Sequence, residues 1–495
     1  MYQSFIGLEV HIHLLTKTKV FCGCRSAFGD EPNTNVCPVC MGYPGVLPSL
    51  NIEAMHMGCM VARALNCRIP DHTWFERKQY FYPDMPKNYQ ISQFASPLGL
   101  EGYVDLQGKQ GEKRVRIKEC HLEEDAGKMI HTGTVSLLDY NRAGVALLEI
   151  VTEPDMETGE EAELFIQQLR RTVRYLGVCD GNMEEGSLRA DANVSINLVG
   201  QGLGRKVEIK NLNTSRFVRL GLTYEIQRQK ERLDQGKTVI QETRLWNENR
   251  DQTEPMRTKE NAQDYRYFPE PDLPVFAPDA AFRSAVEAAL VELPAARIAR
   301  LEHASGLSRE QAELMADEKA LAEYFEAALG EVQAQGLEAR DGALRLANWL
   351  LTDIKGLLNR VGLAPADIAS FRLSPFRLAT LVVMVARGQV SMKNGKQALE
   401  RVIAEDRDPA DLIREAGWEQ LSDPVEIGKA LQGVYAAEAE VFTQLKNACS
   451  AGNRKRQRTL TAYVMGRILE QTGGRADPKI AGAQLEAFIQ TLECP

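Results

Sequence analysis

The residues best suited to chemistry near the start of the chain are Glu9, His11 and His13, which alternate with apolar residues. Positions 6, 8, 10, 12 and 14 are all Ile, Leu or Val, and such period-two alternation is typical of a β-strand with one buried face. A carboxylate beside a neutral imidazole can bind a divalent cation. A surface strand with its Glu and His side chains in water would show the same pattern, so the strand alone leaves both interpretations open.

Two later acidic stretches could complete a cation site. Residues 123–125 are three consecutive carboxylates, and Glu149 lies within an apolar run that is typical of a strand. A carboxylate among apolar neighbours is costly unless it is paired or bound to a metal ion. If the fold brings them together, an oxygen-rich Mg²⁺ site would be formed by Glu9, His11, Glu124 and Glu149.

Four cysteines form two closely spaced pairs, Cys22-Gly-Cys24 and Cys37-Pro-Val-Cys40, separated by twelve residues. Such pairs on turns predict a tetrahedral thiolate site for structural Zn²⁺, although the first pair has one intervening residue instead of the usual two. Reduced thiols in loops or a redox pair are the alternatives. Four thiolates leave no ligand position open for water, so a zinc ion there would be structural.

Aromatic and cationic residues are interleaved without a regular period between positions 75 and 90, around two prolines. Rings suit a nucleobase and cations suit phosphates, although a rigid loop packed on the core would have the same composition. No Walker-type phosphate loop occurs in the chain. The candidates for nucleotide or phosphate binding here are Arg77, Lys78, Tyr80, Tyr82 and Lys87, and polar residues of a later strand predicted to line the same pocket are Ser187, Arg189 and Asp191.

Length and composition indicate a multidomain protein of ordinary globular type. The chain has 495 residues, 44% of them hydrophobic and 26% charged, with a net charge of −9, so two or three domains are expected. No apolar run is long enough to span a membrane and no secretory leader is recognisable, which predicts a cytoplasmic location. Seven of the ten cysteines and six of the seven histidines lie before residue 132, so metal chemistry is expected in the N-terminal part.

The texture of the chain changes beyond about residue 280, where Ala-, Leu- and Glu-rich helical periodicity begins. A basic island follows near the C-terminus, formed by Arg454, Lys455, Arg456 and Arg458. In a chain of negative net charge, such an island suits the phosphate backbone of a nucleic acid. A solvated basic helix end is the alternative.

Several long, ordered motifs resemble the B subunit family of the tRNA-dependent amidotransferase GatCAB. They begin with IGLEVH at 6–11, YPGVLP at 43–48 and YPDMPKNYQ at 82–90. They continue with EEDAGK at 123–128, EIVTEPD at 149–155, EGSLRADANVS at 185–195, KNLN at 210–213, QETR at 241–244 and DYRYFPEPD at 264–272. The remaining chain follows the family more loosely, and the bacterial or organellar form is the closer match because no large insertion separates the two parts.

The resemblance implies an α+β fold, with a glutamine-synthetase-like cradle domain at 1–292 that carries a zinc knuckle at 22–40. A helical domain at 293–405 and a YqeY-like, tRNA-binding helical tail at 406–495 should follow. It also implies the reaction: ATP and Mg²⁺ phosphorylate the side-chain carboxylate of misacylated Glu-tRNA(Gln) or Asp-tRNA(Asn). Ammonia from the glutaminase A subunit then displaces phosphate, while a small C subunit joins the two. By family motif, Glu9, His11, Glu124 and Glu149 are assigned to the metal.

Two other functions fit parts of the sequence. A non-catalytic, zinc-containing tRNA-binding scaffold would explain the cysteines and the basic tail but not the metal-binding carboxylates. A free-standing ligase acting on a small acid would explain the carboxylates but not the helical tail. The chain has no recognisable glutaminase centre, so it should be inert with glutamine alone and need a partner.

Overall fold

The structure is a computed structural model that describes residues 1–108, 111–258 and 265–493. Asp264, the first residue of the 264–272 motif, lies outside that part. The strands in chain order are β1 (Tyr2–His13), β2 (Glu76–Gln79), β3 (Tyr89–Ser92), β4 (Gly99–Gly108), β5 (Gly111–Glu124), β6 (Lys128–Thr132), β7 (Val135–Asp139), β8 (Ala146–Thr152), β9 (Leu188–Leu198), β10 (Val207–Lys210), β11 (Glu242–Asn247), β12 (Gln252–Thr258) and β13 (Phe268–Pro269).

An eight-stranded sheet organises the first compact unit, residues 1–296, with the strand order β12-β11-β10-β9-β1-β8-β5-β4. All of its pairings are antiparallel except that of β10 with β11. Strand β1 lies in the middle, between β8 and β9. The smaller sheets are β13-β2-β3 and the hairpin β6-β7.

One face of the large sheet is apolar and is covered by helices. The helices of this unit are α1 (Ile52–Ala64), α2 (Gly159–Tyr175), α3 (Ser215–Asp234) and α4 (Ala280–Ala289). Ile6, Leu8, Val10 and Ile12 of β1 are buried in the core beneath them, as the period-two pattern predicts. Since an antiparallel sheet can bury one face and leave the other polar, the opposite face is available for the charged residues of β1.

The second compact unit, residues 297–495, is helical. Most of helix α5 (Pro294–Ser305) belongs to this unit. The elements that follow it are α6 (Arg309–Met315), α7 (Lys319–Ala334), α8 (Ala339–Asn348), a π-helical turn (Trp349–Ile354), α9 (Lys355–Arg360), a 3₁₀ turn (Pro365–Ser370), α10 (Pro375–Ala386), α11 (Met392–Glu405), α12 (Pro409–Glu415), α13 (Pro424–Ala437), α14 (Ala439–Ser450), α15 (Arg454–Gln471) and α16 (Pro478–Glu493). The unit contains two apolar cores, one built from residues 298–413 and the other from residues 427–489.

The predicted α+β class with a helical C-terminal region is confirmed. The two cores of the second unit are compatible with separate helical and tail domains, but the boundaries at 292/293 and 405/406 stay predictions. Among the helices that the structure describes, none combines the length and apolar character needed to cross a membrane.

Candidate functional site

A cluster of three metal-binding side chains lies on the polar face of the large sheet. His11 Nε2 lies 3.6 Å from Glu149 Oε1 and 3.8 Å from Glu123 Oε1, and one ligand atom from each residue lies within 4.8 Å of the others. The sheet register explains the grouping, since His11 is opposite Glu149 on β8, which is in turn opposite His121 on β5. Glu123 lies two residues beyond His121 and therefore on the same face.

The electrostatics of this triad favour a cation. Burial and the negative charge of Glu123 raise the pKa of Glu149 to about 7, because two nearby carboxylates resist ionising together. Burial, and then the positive charge of Arg189, lowers the pKa of His11 to about 3, so its imidazole is neutral and can donate a lone pair. Two crowded carboxylates and a neutral imidazole are a donor set that fits a divalent ion.

Polar contacts continue along the same face from β1 towards β9 and β10. Glu9 Oε1 accepts a hydrogen bond of 2.8 Å from Asn193 Nδ2, and Asp191 is paired with Lys210 of β10. Burial raises the pKa of Asp191. Since these side chains come from strands paired in one ladder, the sheet itself fixes their spacing.

Asp125 anchors the acidic turn after β5. Its Oδ2 lies 2.7 Å from His13 Nε2, 3.0 Å from Arg189 Nη2 and 3.3 Å from Arg142 Nε. Burial alone would raise the pKa of Asp125, but Arg189 and the hydrogen bond with His13 hold it well below its usual range. The turn is therefore tied to β1 and β9 by charge-assisted hydrogen bonds.

The small sheet β13-β2-β3 brings a lysine to the triad. Although burial would lower the pKa of Lys78, the negative charges of Glu123 and Glu149 raise it above its usual value. Ser92, at the end of β3, donates from Oγ to Glu123 Oε2 at 3.0 Å. Lys78 also lies over the ring of Tyr265, 5.1 Å from its centroid, so aromatic rings and a fixed cation border the carboxylates.

The four predicted zinc ligands converge. The sulfur atoms of Cys22, Cys24, Cys37 and Cys40 all lie within 4.8 Å of one another. The Cys37–Cys40 separation of 3.9 Å is close to the roughly 3.8 Å that tetrahedral Zn–S bonds require. The Nζ of Lys19, a fully buried side chain, lies 3.7 Å from the Cys40 sulfur, where it would offset part of the negative charge of thiolates around a zinc ion.

Comparison with known proteins assigns the family. The GatB/GatE catalytic domain model matches residues 4–283, and the GatB domain model matches residues 313–489. The chain belongs to the GatB family. Its relatives include proteins named as the B subunit of aspartyl/glutamyl-tRNA(Asn/Gln) amidotransferase from Acaryochloris marina (44% identity, 98% of this chain and 97% of the relative) and Thermodesulfovibrio yellowstonii (42% identity, 97% of both).

In this GatB chain, Glu124, which the sequence assigns to a metal site with Glu9, His11 and Glu149, is paired with Lys87, and Glu123 stands beside His11 and Glu149. Both carboxylate oxygens of Glu124 accept hydrogen bonds from Lys87 Nζ, and Oε1 also accepts one of 2.8 Å from the Ile91 amide. Adjacent strand residues point to opposite faces, so Glu123 projects beside His11 while Glu124 projects away from it. Lys87, which the sequence predicts to bind phosphate, is the partner of Glu124 in this buried ion pair.

Of the other candidates for nucleotide binding, some are bonded to residues outside the triad and others interact with it. Arg77 makes a two-point contact with Glu270, with N–O distances of 2.7 and 3.0 Å, and stacks on Tyr89 with its guanidinium 4.4 Å from the ring centroid. Its guanidinium therefore joins β2 to the residue that follows β13. Ser187 bonds to Asp180 and Asn182 within its own turn. The charges of Lys78 and Arg189 act on residues of the triad. Asp191 is paired with Lys210, and Tyr80 and Tyr82 lie together in the loop after β2, with ring centroids 6.1 Å apart.

Sequence reasoning missed Glu123 as a member of the triad, and Asn193, Lys210 and Lys19 as partners. The two-residue spacing of His121 and Glu123 places both on one face of β5, but it does not show that this face meets His11. The GatB tail residues predicted to bind tRNA lie in the first turns of α15, and all four are exposed: Arg454, Lys455, Arg456 and Arg458.

Proposed function

We propose that this GatB chain uses ATP to phosphorylate the side-chain carboxylate of misacylated Glu-tRNA(Gln), Asp-tRNA(Asn) or both. Ammonia from a partner glutaminase A subunit then displaces phosphate to form the amide, and a C subunit completes the cytoplasmic heterotrimer. The observation that carries this proposal is the triad of the buried Glu123 with the half-buried His11 and Glu149, in a chain whose relatives are named as the B subunit of that amidotransferase.

The triad would hold Mg²⁺, with Glu9 as the next carboxylate along β1. Bound there, Mg²⁺ would neutralise the charge of the ATP phosphates. The chain's own residues do the positioning: the neutral imidazole of His11 and the carboxylates of Glu123 and Glu149 are fixed on three adjacent strands. Lys78 offers its ammonium to phosphate oxygens beside them.

Activation of the carboxylate is the chemical reason for ATP. An amine displaces oxide from a carboxylate poorly, whereas phosphate is a good leaving group. Phosphoryl transfer depends mainly on alignment and charge neutralisation, and strand-borne side chains supply alignment with little reorganisation. Arg189, held at its Nη2 by Asp125, adds a positioned positive charge close to His11.

We also propose that Cys22, Cys24, Cys37 and Cys40 bind a structural Zn²⁺ and that the basic start of α15 contacts tRNA. Cations at a helix N-terminus oppose the helix dipole and cost about 0.3–1 kcal/mol each. A cluster of Arg454, Lys455, Arg456 and Arg458 retained there is therefore better suited to a phosphate backbone than to stabilising the helix.

The test is phosphate release from ATP by the chain in complex with its A and C partners. Glu-tRNA(Gln), Asp-tRNA(Asn) and uncharged tRNA would be compared for the wild type, Glu123→Gln and the control Glu112→Gln, an exposed residue of the same strand. We expect release that requires misacylated tRNA, is lost in Glu123→Gln and persists in Glu112→Gln. Release independent of tRNA would support a small-acid ligase, and no release would support a scaffold.

A further inference from the structure

The end of β3 and the segment that follows it are hydrogen-bonded directly to the candidate active site. Ser92 Oγ donates to Glu123 of the triad, and the next residue, Gln93, is buried and bonds to its neighbours on β5. The Oε1 atom of Gln93 accepts a hydrogen bond of 2.9 Å from the Leu122 amide, and the backbone carbonyl oxygen of Gln93 contacts His121 Nδ1. Phe94 therefore lies at the rim of the site, two residues after Ser92, which contacts Glu123 of the triad.

Phe94 is held rigidly although its ring faces solvent. The backbone amides of Phe94 and Ala95 donate to Oε2 of the buried Glu76 at 2.6 and 2.8 Å. One side of the ring stacks on Tyr267, with centroids 4.3 Å apart and an interplanar angle of 13°, yet Phe94 remains 58% exposed. A single exposed ring is ordinary, but a ring with a fixed backbone and an aromatic backing is a preorganised surface.

We propose that the exposed face of Phe94, backed by Tyr267, stacks against the 3′-terminal adenine of the aminoacylated tRNA. This inference rests on the proposed function. Proteins recognise unpaired nucleotides chiefly by stacking their bases on aromatic side chains. In the substrate, one ribose and one amino-acid residue separate that adenine from the carboxylate that reacts. A stacking surface beside the triad therefore matches the placement that the substrate imposes.

The adenine of ATP is the competing occupant, and the shape of the surface argues against it. Sites for small molecules usually bury most of the ligand in a concave pocket. Phe94 instead offers one open face at the rim, which suits the unstacked end of a larger nucleic acid. Tyr267 in turn packs edge-to-face against Tyr265, with ring centroids 6.0 Å apart, and Lys78 lies over the Tyr265 ring. The stacked pair therefore extends from the rim towards the triad.

The experiment uses the complete complex of A, B and C subunits with tRNA(Gln) whose terminal adenosine is replaced by 2-aminopurine, a base whose fluorescence falls when it stacks. We expect quenching on binding to the wild type and to Phe94→Trp, and its loss in Phe94→Ala. Steady-state kinetics with ordinary Glu-tRNA(Gln) should then show a KM for tRNA about 5- to 150-fold higher in Phe94→Ala, the range expected for one stacked base. The KM for ATP should be unchanged.

The control is Phe376→Ala, which removes another exposed phenylalanine, 52% exposed on α10, and should alter neither measurement. Quenching that persists in Phe94→Ala would overturn the inference, as would a rise in the KM for ATP alone. Both results would leave the proposed function intact if wild-type phosphate release still requires Glu-tRNA(Gln). Wild-type phosphate release that does not require Glu-tRNA(Gln) would instead refute the proposed function itself.

Discussion

Replacing Glu124 with glutamine should weaken the fold around β3 and β5 while leaving Mg²⁺ binding in place. The Lys87 and Glu124 side chains are only 8% and 3% exposed, so the substitution leaves a buried ammonium without its counter-charge. Removing one partner of a buried ion pair costs about 3–5 kcal/mol. Glutamine has nearly the same volume as glutamate, so little of this loss would come from packing.

A second substitution separates the charge effect from other causes. Lys87→Met combined with Glu124→Gln removes the unpaired ammonium, and replacing buried ion pairs by uncharged residues is often close to neutral. We therefore expect the double variant to recover most of the stability lost in the single variant. If the single and double variants were equally unstable, the buried charge would not be the cause.

Hydrogen exchange is the suitable assay because unfolding of a chain with two compact units need not be two-state. The Ile91 amide donates to Glu124, so exchange in a peptide covering β3 should accelerate in Glu124→Gln. Calorimetric titration with Mg²⁺ should show near-normal affinity for Glu124→Gln and weakened affinity for Glu123→Gln. If Glu124→Gln instead lost its affinity for Mg²⁺ and showed the same hydrogen exchange as the wild type, Glu124 would be a metal ligand. That result would refute the placement of Glu123 in the triad.

Three other predictions concern the metal sites and the tail. Glu149→Gln should stabilise the metal-free protein at pH 8 by about 3 kcal/mol, since one pKa unit corresponds to about 1.4 kcal/mol. In chemical denaturation this gain should fade as the pH falls from about 7 to below 4.5, because the wild-type carboxyl is then protonated in both the folded and the unfolded state; a pH-independent gain would contradict the reasoning. A zinc assay by mass spectrometry should find one ion per chain in the wild type and in Cys67→Ser, but none in Cys37→Ser with lowered thermal stability; zinc retained by Cys37→Ser would exclude the site. Lys455→Gln with Arg458→Gln should weaken tRNA binding and flatten its salt dependence by about one unit per lost phosphate contact, and unaltered affinity would remove α15 from the tRNA-binding surface.

Patterns confined to one stretch of chain were predictable. The alternation of β1 gave its apolar and polar faces, and the cysteine spacing brought four sulfurs together as expected. Helix α1 begins directly after Asn51, whose side chain caps it, and an N-cap of this kind is a local sequence signal. Each of these depends on local periodicity or a short loop, so the physical constraint lies within the sequence window that shows it.

Choices that depend on distant partners were not predictable. Glu123 and Glu124 are adjacent and chemically identical, and only the pairing of β5 with β8, which includes a register shift between Ile117 and Glu119, decides which of them faces His11. Arg77 has the composition of a phosphate ligand, but its partner Glu270 lies 193 residues away in the chain. Long-range pairing of this kind leaves no local periodic signal.

The central position of β1 has a consequence for biosynthesis. Strand β1 is synthesised first, but both of its neighbours come late: β8 ends at Thr152 and β9 at Leu198. At about 5–20 residues per second, a ribosome would take roughly 7–27 s to pass from the end of β1 to the start of β8. During that interval the first strand emerges with an apolar face and no hydrogen-bonding partner on either edge. The nascent chain therefore carries an aggregation-prone segment that chaperones are suited to shield.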